Sequence, residues 1–366
     1  MKGGERTIDH LKSRFHTAFK QSKVGYGADF LRISVKRSLG LERIPPPLRR
    51  IYIETSSTCN LRCKFCAYSK KAGPKIVMSN QFFERIINEA TALGISHFGL
   101  TPITGDIFFD KEILQKLDFL DDHPRVKGYT LYTNFILPEE SAIFKLFEKK
   151  KLLRLTASLY GHDLDSFIKI TESNDVAYER LKSNLVSIAS IGPNVNRVHF
   201  SLAWRTYDSF GGSRTATDLC EIVARLQDQY GFNIQINKLY DNWGGYITRD
   251  DLTGLDMNLL ADKHVYKNGA CSFIFAKNQI MANGVVNACA CRDVDATLAL
   301  GDLNNQSLAE ILSHKNLIYR DLIERQQKGN FNPICSSCTF YHSIYKRKRG
   351  ITLEKFYQGI GMPPSA

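Results

Sequence analysis

The sequence predicts an α/β chain: six strand–helix repeats that build a parallel sheet, then a smaller cysteine-bearing unit. Three observations predict it. From Arg49 onward, short β-branched and aromatic runs alternate with segments of helical period. That alternation stops after Trp243-Gly244-Gly245. Eight of the nine cysteines fall into groups, with 59, 63 and 66 early and 271, 289, 291, 335 and 338 late, and Cys220 stands alone.

Taken in order, residues 1–48 are a basic helical extension. Ile8, Leu11, Phe15 and Phe19 recur at helical spacing, with Lys12, Arg14 and Lys20 on other faces. The first reading is a helix packed on the next domain; the second is an interfacial helix in contact with anionic lipid. Pro45-Pro46-Pro47 closes this segment. Strands are expected at 51–54, 97–100, 128–132, 153–158, 197–203 and 232–239. Helices are expected at 81–93, 113–120, 141–150, 176–191 and 217–230. Parallel neighbours need right-handed crossovers, so the sheet is an open or closed barrel with its active site at the carboxyl ends of the strands. The domains expected are 49–248 for this sheet, 249–345 for the second unit, and 346–366 for a basic, weakly ordered tail.

The 366 residues carry 43% hydrophobic and 23% charged side chains, as soluble globular proteins do. Neither a signal peptide nor an apolar run long enough to span a membrane is visible, so a cytoplasmic protein is expected. In that compartment cysteines read as thiols, catalytic groups or metal ligands rather than disulfides. The net charge of +12 is either a solvated basic surface or an attraction to something anionic. No nucleic-acid module is recognisable, and no nucleic-acid partner is expected.

The first cysteine group is Cys59-Asn60-Leu61-Arg62-Cys63-Lys64-Phe65-Cys66, C-x3-C-x2-C, in the loop after the first strand. Three thiolates so placed can hold three irons of a four-iron cluster, leaving the fourth iron open. Zinc would need a fourth ligand, and His97 is too distant for a compact motif.

This motif, with an aromatic residue just before its third cysteine, resembles the radical S-adenosylmethionine superfamily. The resemblance implies a partial (β/α)6 barrel, a 4Fe-4S cluster on Cys59, Cys63 and Cys66, and S-adenosylmethionine chelated at the open iron. It implies reductive cleavage to a 5′-deoxyadenosyl radical that abstracts hydrogen from a substrate. An external electron donor such as flavodoxin or ferredoxin is then required. Further cofactor-binding positions follow in order: Phe65 near the adenine, Thr104-Gly105-Asp106 for a Gly-Gly-Glu-like segment, Asn134 after the third strand, and Ser158 at the end of the fourth. The acid at 106 is one carbon shorter than the family's, and turn chemistry is an alternative use of Asn134, Ser158 and Asp106.

Late in the chain, Cys271, Gly284 and Cys289 give C-x12-G-x4-C, followed by Cys335-Ser336-Ser337-Cys338. Two pairs of thiolates can bind zinc or a four-iron cluster. The pattern resembles the SPASM extension of radical S-adenosylmethionine enzymes in its truncated twitch form, similar to 2-deoxy-scyllo-inosamine dehydrogenases. This implies a second, auxiliary 4Fe-4S cluster on Cys271, Cys289, Cys335 and Cys338, able to take an electron from a substrate radical. Cys291 stays open between inert thiol, alternate ligand and hydrogen donor. Cys220 reads as a buried small residue inside a helix. Asp241-Asn242-Trp243-Gly244-Gly245 follows the sixth strand and reads either as a turn or as pocket lining. The expected activity is dehydrogenation, epimerisation or dehydration of a small-molecule polyol or glycosyl substrate. The alternatives are maturation of a ribosomally made peptide and a non-catalytic zinc-binding protein.

Overall fold

The computed structural model describes residues 23–45, 49–212, 215–260 and 265–359. The helix expected over 8–20 lies outside them. The chain opens with α1 (Lys23–Ser38) and then runs β1 (Arg50–Ile53), α2 (Asn80–Ala92), β2 (His97–Leu100), α3 (Ile113–Asp122), β3 (Gly128–Thr133), α4 (Glu140–Glu148) and β4 (Leu152–Tyr160). Next come α5 (Leu164–Thr171), α6 (Asp175–Ser187), β5 (His199–Arg205), α7 (Asp218–Tyr230) and β6 (Asn233–Asn237). Side-chain caps start these helices where the sequence supplies them: Ser79 for α2, Asp163 for α5, Asn174 for α6 and Thr217 for α7. α6 was expected to reach 191 but ends at Ser187; the chain tightens into a 3-10 segment broken at Gly192, whose φ is 66°.

β1 to β6 lie side by side in chain order, all parallel. Sequential parallel neighbours curve one way, so this is an open, partial barrel. The alternation of side chains divides the sheet. Ile51, Ile53, Phe98, Leu100, Tyr129, Leu131, Leu155, Leu159, Leu202 and Trp204 are buried in the main core. The residues between them form polar cross-strand rows: Tyr132–Thr156–Ser201, Ser158–Ala203–Gln235 and Tyr160–Arg205–Asn237. One face is therefore a helix-packed core, and the other is a polar lumen.

Two short strands, β7 (Leu239–Tyr240) and β8 (Asn258–Leu259), pair parallel beyond the barrel. Then β9 (Gln279–Ile280), β10 (Val285–Asn287) and β11 (Ala299–Asp302) extend the main sheet at the β1 edge, β9 parallel to β1 and the rest antiparallel. The second unit, expected to stand apart, thus continues the barrel's own sheet. Strands of two to four residues carry no readable period, which is why the join was invisible. A last long helix, α8 (Leu317–Gln327), packs behind it.

The tail from Lys346 was expected to be weakly ordered, and up to residue 359 it is not. Ile351 exchanges backbone hydrogen bonds with Ile44 at 2.9 and 3.1 Å. Thr352 caps a short helix, Leu353–Tyr357, whose Phe356 is buried against Phe275 and Tyr319. Two apolar side chains suffice to anchor a segment that reads as basic and rich in Gly and Pro. No helix among the described residues is long and apolar enough to cross a membrane.

Candidate active site

Cys59–Cys66 follows the carboxyl end of β1 and is held from three sides. Arg62 N and Lys64 N donate to the carbonyls of Thr171 (3.0 Å) and Ile170 (2.9 Å) at the end of α5. Cys66 N closes on Cys63 O at 2.9 Å, and Asp106 N reaches Thr58 O at 2.7 Å. Burial pushes all three thiols up, Cys59 to about 12 and Cys66 to about 11, and Cys63 feels both neighbours. The three thiols thus lie within electrostatic reach of one another on the loop. Without metal they are neutral thiols, and iron must displace their protons. The Arg205 guanidinium opposes the shift at Cys63 and Cys66.

Phe65 is buried with its ring centroid 5.7 Å from that of Tyr160 and 5.1 Å from that of Tyr240, with Arg205 at 5.9 Å. Gly105 has a φ of 129°, and a Cβ there would lie 2.8 Å from Ser56 O, so only glycine lets the Thr104-Gly105-Asp106 turn lie against the cysteine loop. Asp106 is used by the fold. Its carboxylate accepts from Phe108 N (3.0 Å), Asn134 N (2.6 Å) and Thr133 Oγ1 (2.9 Å). Asn134 Nδ2 donates to Asn60 Oδ1 at 2.7 Å and lies 3.8 Å from Cys59 Sγ. Ser158 Oγ accepts from Arg205 at 3.2 Å. The residues chosen from sequence therefore converge on one mouth, although Asp106 and Asn134 hold the loops as much as they face it.

Next to Gly105 on that turn, the buried Thr104 Oγ1 has no hydrogen-bond partner, while the orphaned Glu54 Oε2 belongs to a separate cavity lined by Lys71 and Met281. A free hydroxyl on the turn that packs against the cysteine loop fits a polar ligand there.

The later cysteines share a second space. Cys271, Cys289, Cys291, Cys335 and Cys338 line one small cavity, walled by Phe340 and Tyr341. Cys271 is pushed up to about 12 and Cys338 to about 11, burial being the largest cause. Donors already point at sulfur: Gln326 Nε2 to Cys335 (3.4 Å), Phe340 N to Cys338 (3.2 Å) and Cys291 N to Cys289 (3.4 Å). Cys289 and Cys291 share a hydrogen bond, and Cys291, nearer Lys277 and Arg292, is the more acidic. Five cysteines and no histidine in a largely apolar lining fit a ligated iron–sulfur cluster. Cys291 sits in a turn rather than a strand, on this cavity's wall. Cys220 is buried inside α7, as expected.

Between the two sets lies a feature the sequence did not announce. Arg292 forms a two-pronged ion pair with Asp241, its second prong 2.6 Å long. Its guanidinium stacks over Trp243 (4.8 Å) and Phe340 (4.5 Å). Its charge acts on Cys66 in one set and on Cys291 and Cys338 in the other. Asn242 adds hydrogen bonds to Ser337 O (2.6 Å) and to Thr339, so 241–243 is the seam between the units. Arg205, Arg292, Tyr160, Tyr240 and Glu54 were all missed. Only the period-two run ending at Arg205 carried a signal.

Residues 271–339 match the family described as an iron–sulfur cluster-binding domain, SPASM. The C-terminal unit is thus similar to SPASM domains over those residues. The barrel in front of it has the fold of radical S-adenosylmethionine enzymes. BtrN, solved in complex with AdoMet and 2-DOIA, matches with a TM-score of 0.53 at 13% identity over 84% of this chain and 98% of its own. Streptococcus suis SuiB bound to precursor peptide SuiA gives 0.55 at 14% over 91% of this chain and 78% of its own. The anSMEcpe protein with bound AdoMet gives 0.50 at 15% over 86% and 93%. Sequence comparison with curated proteins gives no match. The matched range contains all five late cysteines, Cys291 included.

Proposed function

We propose that the chain is a radical S-adenosylmethionine enzyme acting on a polyol or glycosyl substrate. The observation that carries this reading is the pairing of two cysteine sets, three on the loop pinned at the carboxyl end of β1 and five around one cavity of the C-terminal unit. Cys59, Cys63 and Cys66 would hold one 4Fe-4S cluster, and Cys271, Cys289, Cys335 and Cys338 the other. With S-adenosylmethionine and both clusters bound, the chemistry supplied is hydrogen-atom abstraction by a 5′-deoxyadenosyl radical and one-electron acceptance by the auxiliary centre.

The chain's own residues prepare the space. Phe65, Tyr160 and Tyr240 provide an aromatic floor for a purine. Ser158 and Arg205 present a hydroxyl and a cation to a carboxylate. Thr104 offers its free hydroxyl, and Asp106 positions Asn134 and the turn. The polar lumen rows favour a hydroxylated substrate over an apolar one. Oxidation of an alcohol fits an auxiliary acceptor, whereas epimerisation would need a hydrogen donor at the substrate. Cys291 lies with the auxiliary thiols, which favours oxidation. A second reading, peptide maturation, is supported by the equal likeness to SuiB.

Anaerobic reconstitution tests the core of the proposal. About eight irons per chain are expected, with 5′-deoxyadenosine formed on reduction. Cys59→Ala, Cys63→Ala or Cys66→Ala should end that formation, while Cys335→Ala should lose only about four irons. Stoichiometric zinc without iron would sink the reading. Isotope transfer from deuterated polyols, set against deuterated peptide, separates the two substrates.

A further inference from the structure

We propose that α1 seats the molecule on an anionic lipid surface. This goes beyond the proposed reaction and does not depend on it. The inner side of α1 is already docked: Ile33 is fully buried, Tyr26 and Phe30 stand edge-on to Tyr266, and Asp29 pairs with Lys346. On the opposite side Val24, Leu31 and Val35 recur seven and four residues apart, which is one helical stripe, and Leu39 extends it by four more. All four face solvent, Leu31 at 65% and Leu39 at 63% exposed. Scattered exposed apolar residues are ordinary, but a stripe of four on a surface helix is not.

The charge beside the stripe selects the occupant. Arg32 and Lys36 donate to the carbonyls of Lys346 and Arg347, which lays the run Lys346-Arg347-Lys348-Arg349 along the helix. Residues 23–43 and 346–349 contain nine basic side chains and two acidic ones, Asp29 and Glu42. Over half of the chain's net charge of +12 thus sits in these 25 residues. Lys36 is crowded by Arg32, Arg43 and Lys348. An apolar stripe rimmed by repelling cations matches an interface of acyl chains under anionic headgroups, where both features are satisfied together. A protein partner would have to bring a strongly acidic groove.

The test is co-sedimentation of the full chain with vesicles of phosphatidylcholine containing 30% phosphatidylglycerol, against phosphatidylcholine alone. Binding to the anionic vesicles, weakened by salt, is expected. Leu31→Ser/Val35→Ser should lower the partition coefficient about tenfold, and so should Lys348→Glu/Arg349→Glu. Circular dichroism and melting temperature should stay unchanged in both, because these side chains are exposed. No binding to the anionic vesicles overturns the proposal. So does binding that survives both variants, which would place it elsewhere, residues 1–22 included. Self-association lost in the Ser variants, without vesicle binding, would assign the stripe to a second copy and overturns it equally.

Discussion

At the scale of single residues, the site depends on atoms with no freedom to be replaced. Gly105 is the clearest case. Gly105→Ala should cost about 1–3 kcal/mol, from positive φ and the clash with Ser56 O. It should also weaken S-adenosylmethionine binding measured by calorimetry; unchanged affinity would show that the turn does not contact the cofactor. Glu54 and Lys71 form a buried pair at 3.5 Å, nearly sealed from water. Burial raises the Glu54 pKa more than Lys71 lowers it. A raised carboxylate pKa means the native state binds the proton more tightly, so the contribution is full below the ordinary value of 4.5 and is lost as pH climbs through the raised one. Glu54→Gln alone, leaving Lys71 buried and unpaired, should destabilise by about 3 kcal/mol near neutrality. Glu54→Gln/Lys71→Met should recover most of that loss, and its stability relative to the parent should rise with pH. Urea unfolding at several pH values checks both.

Among the elements, what was legible follows from period. β1 to β6 and the helices between them alternate apolar and polar residues over long enough runs to be read, and the three-cysteine loop fell where the sheet needed it. α5 escaped because Leu164–Thr171 is a short helix between two capping signals, Asp163 and Asn174, that look like loop. β9 to β11 escaped because their pairing is long-range. Arg205 and Arg292 escaped because a lone arginine reads as surface, and only the fold buries it. The ordered tail was hidden for a similar reason: Phe356 has one apolar neighbour in sequence but two aromatic ones in space. Phe356→Ala should therefore lower stability by about 3–5 kcal/mol. Calorimetry would show this, and a melting temperature equal to the parent's would mean the tail is only loosely apposed.

For the whole molecule, the Asp241–Arg292 pair fixes how the two cysteine sets face one another. It is partly buried, bidentate and shared between the barrel and the C-terminal unit. Asp241→Asn would leave the guanidinium without its carboxylate and should cost about 1–3 kcal/mol. Arg292→Met removes a positive charge that acts on both sets, so the midpoint potential of the SPASM cluster should become more negative in an EPR-monitored titration. An unmoved potential would make the pair a purely mechanical clasp.

The shared sheet has one further consequence. β1 lies between β2 and β9, so the strand that delivers Cys59 takes half its ladder from the second unit. A chain cut before β9 would bare a row of unpaired amides and carbonyls along β1, an invitation to strand addition and aggregation. The C-terminal unit is therefore also the sheet's edge guard, and the two halves of the protein can be inherited only together.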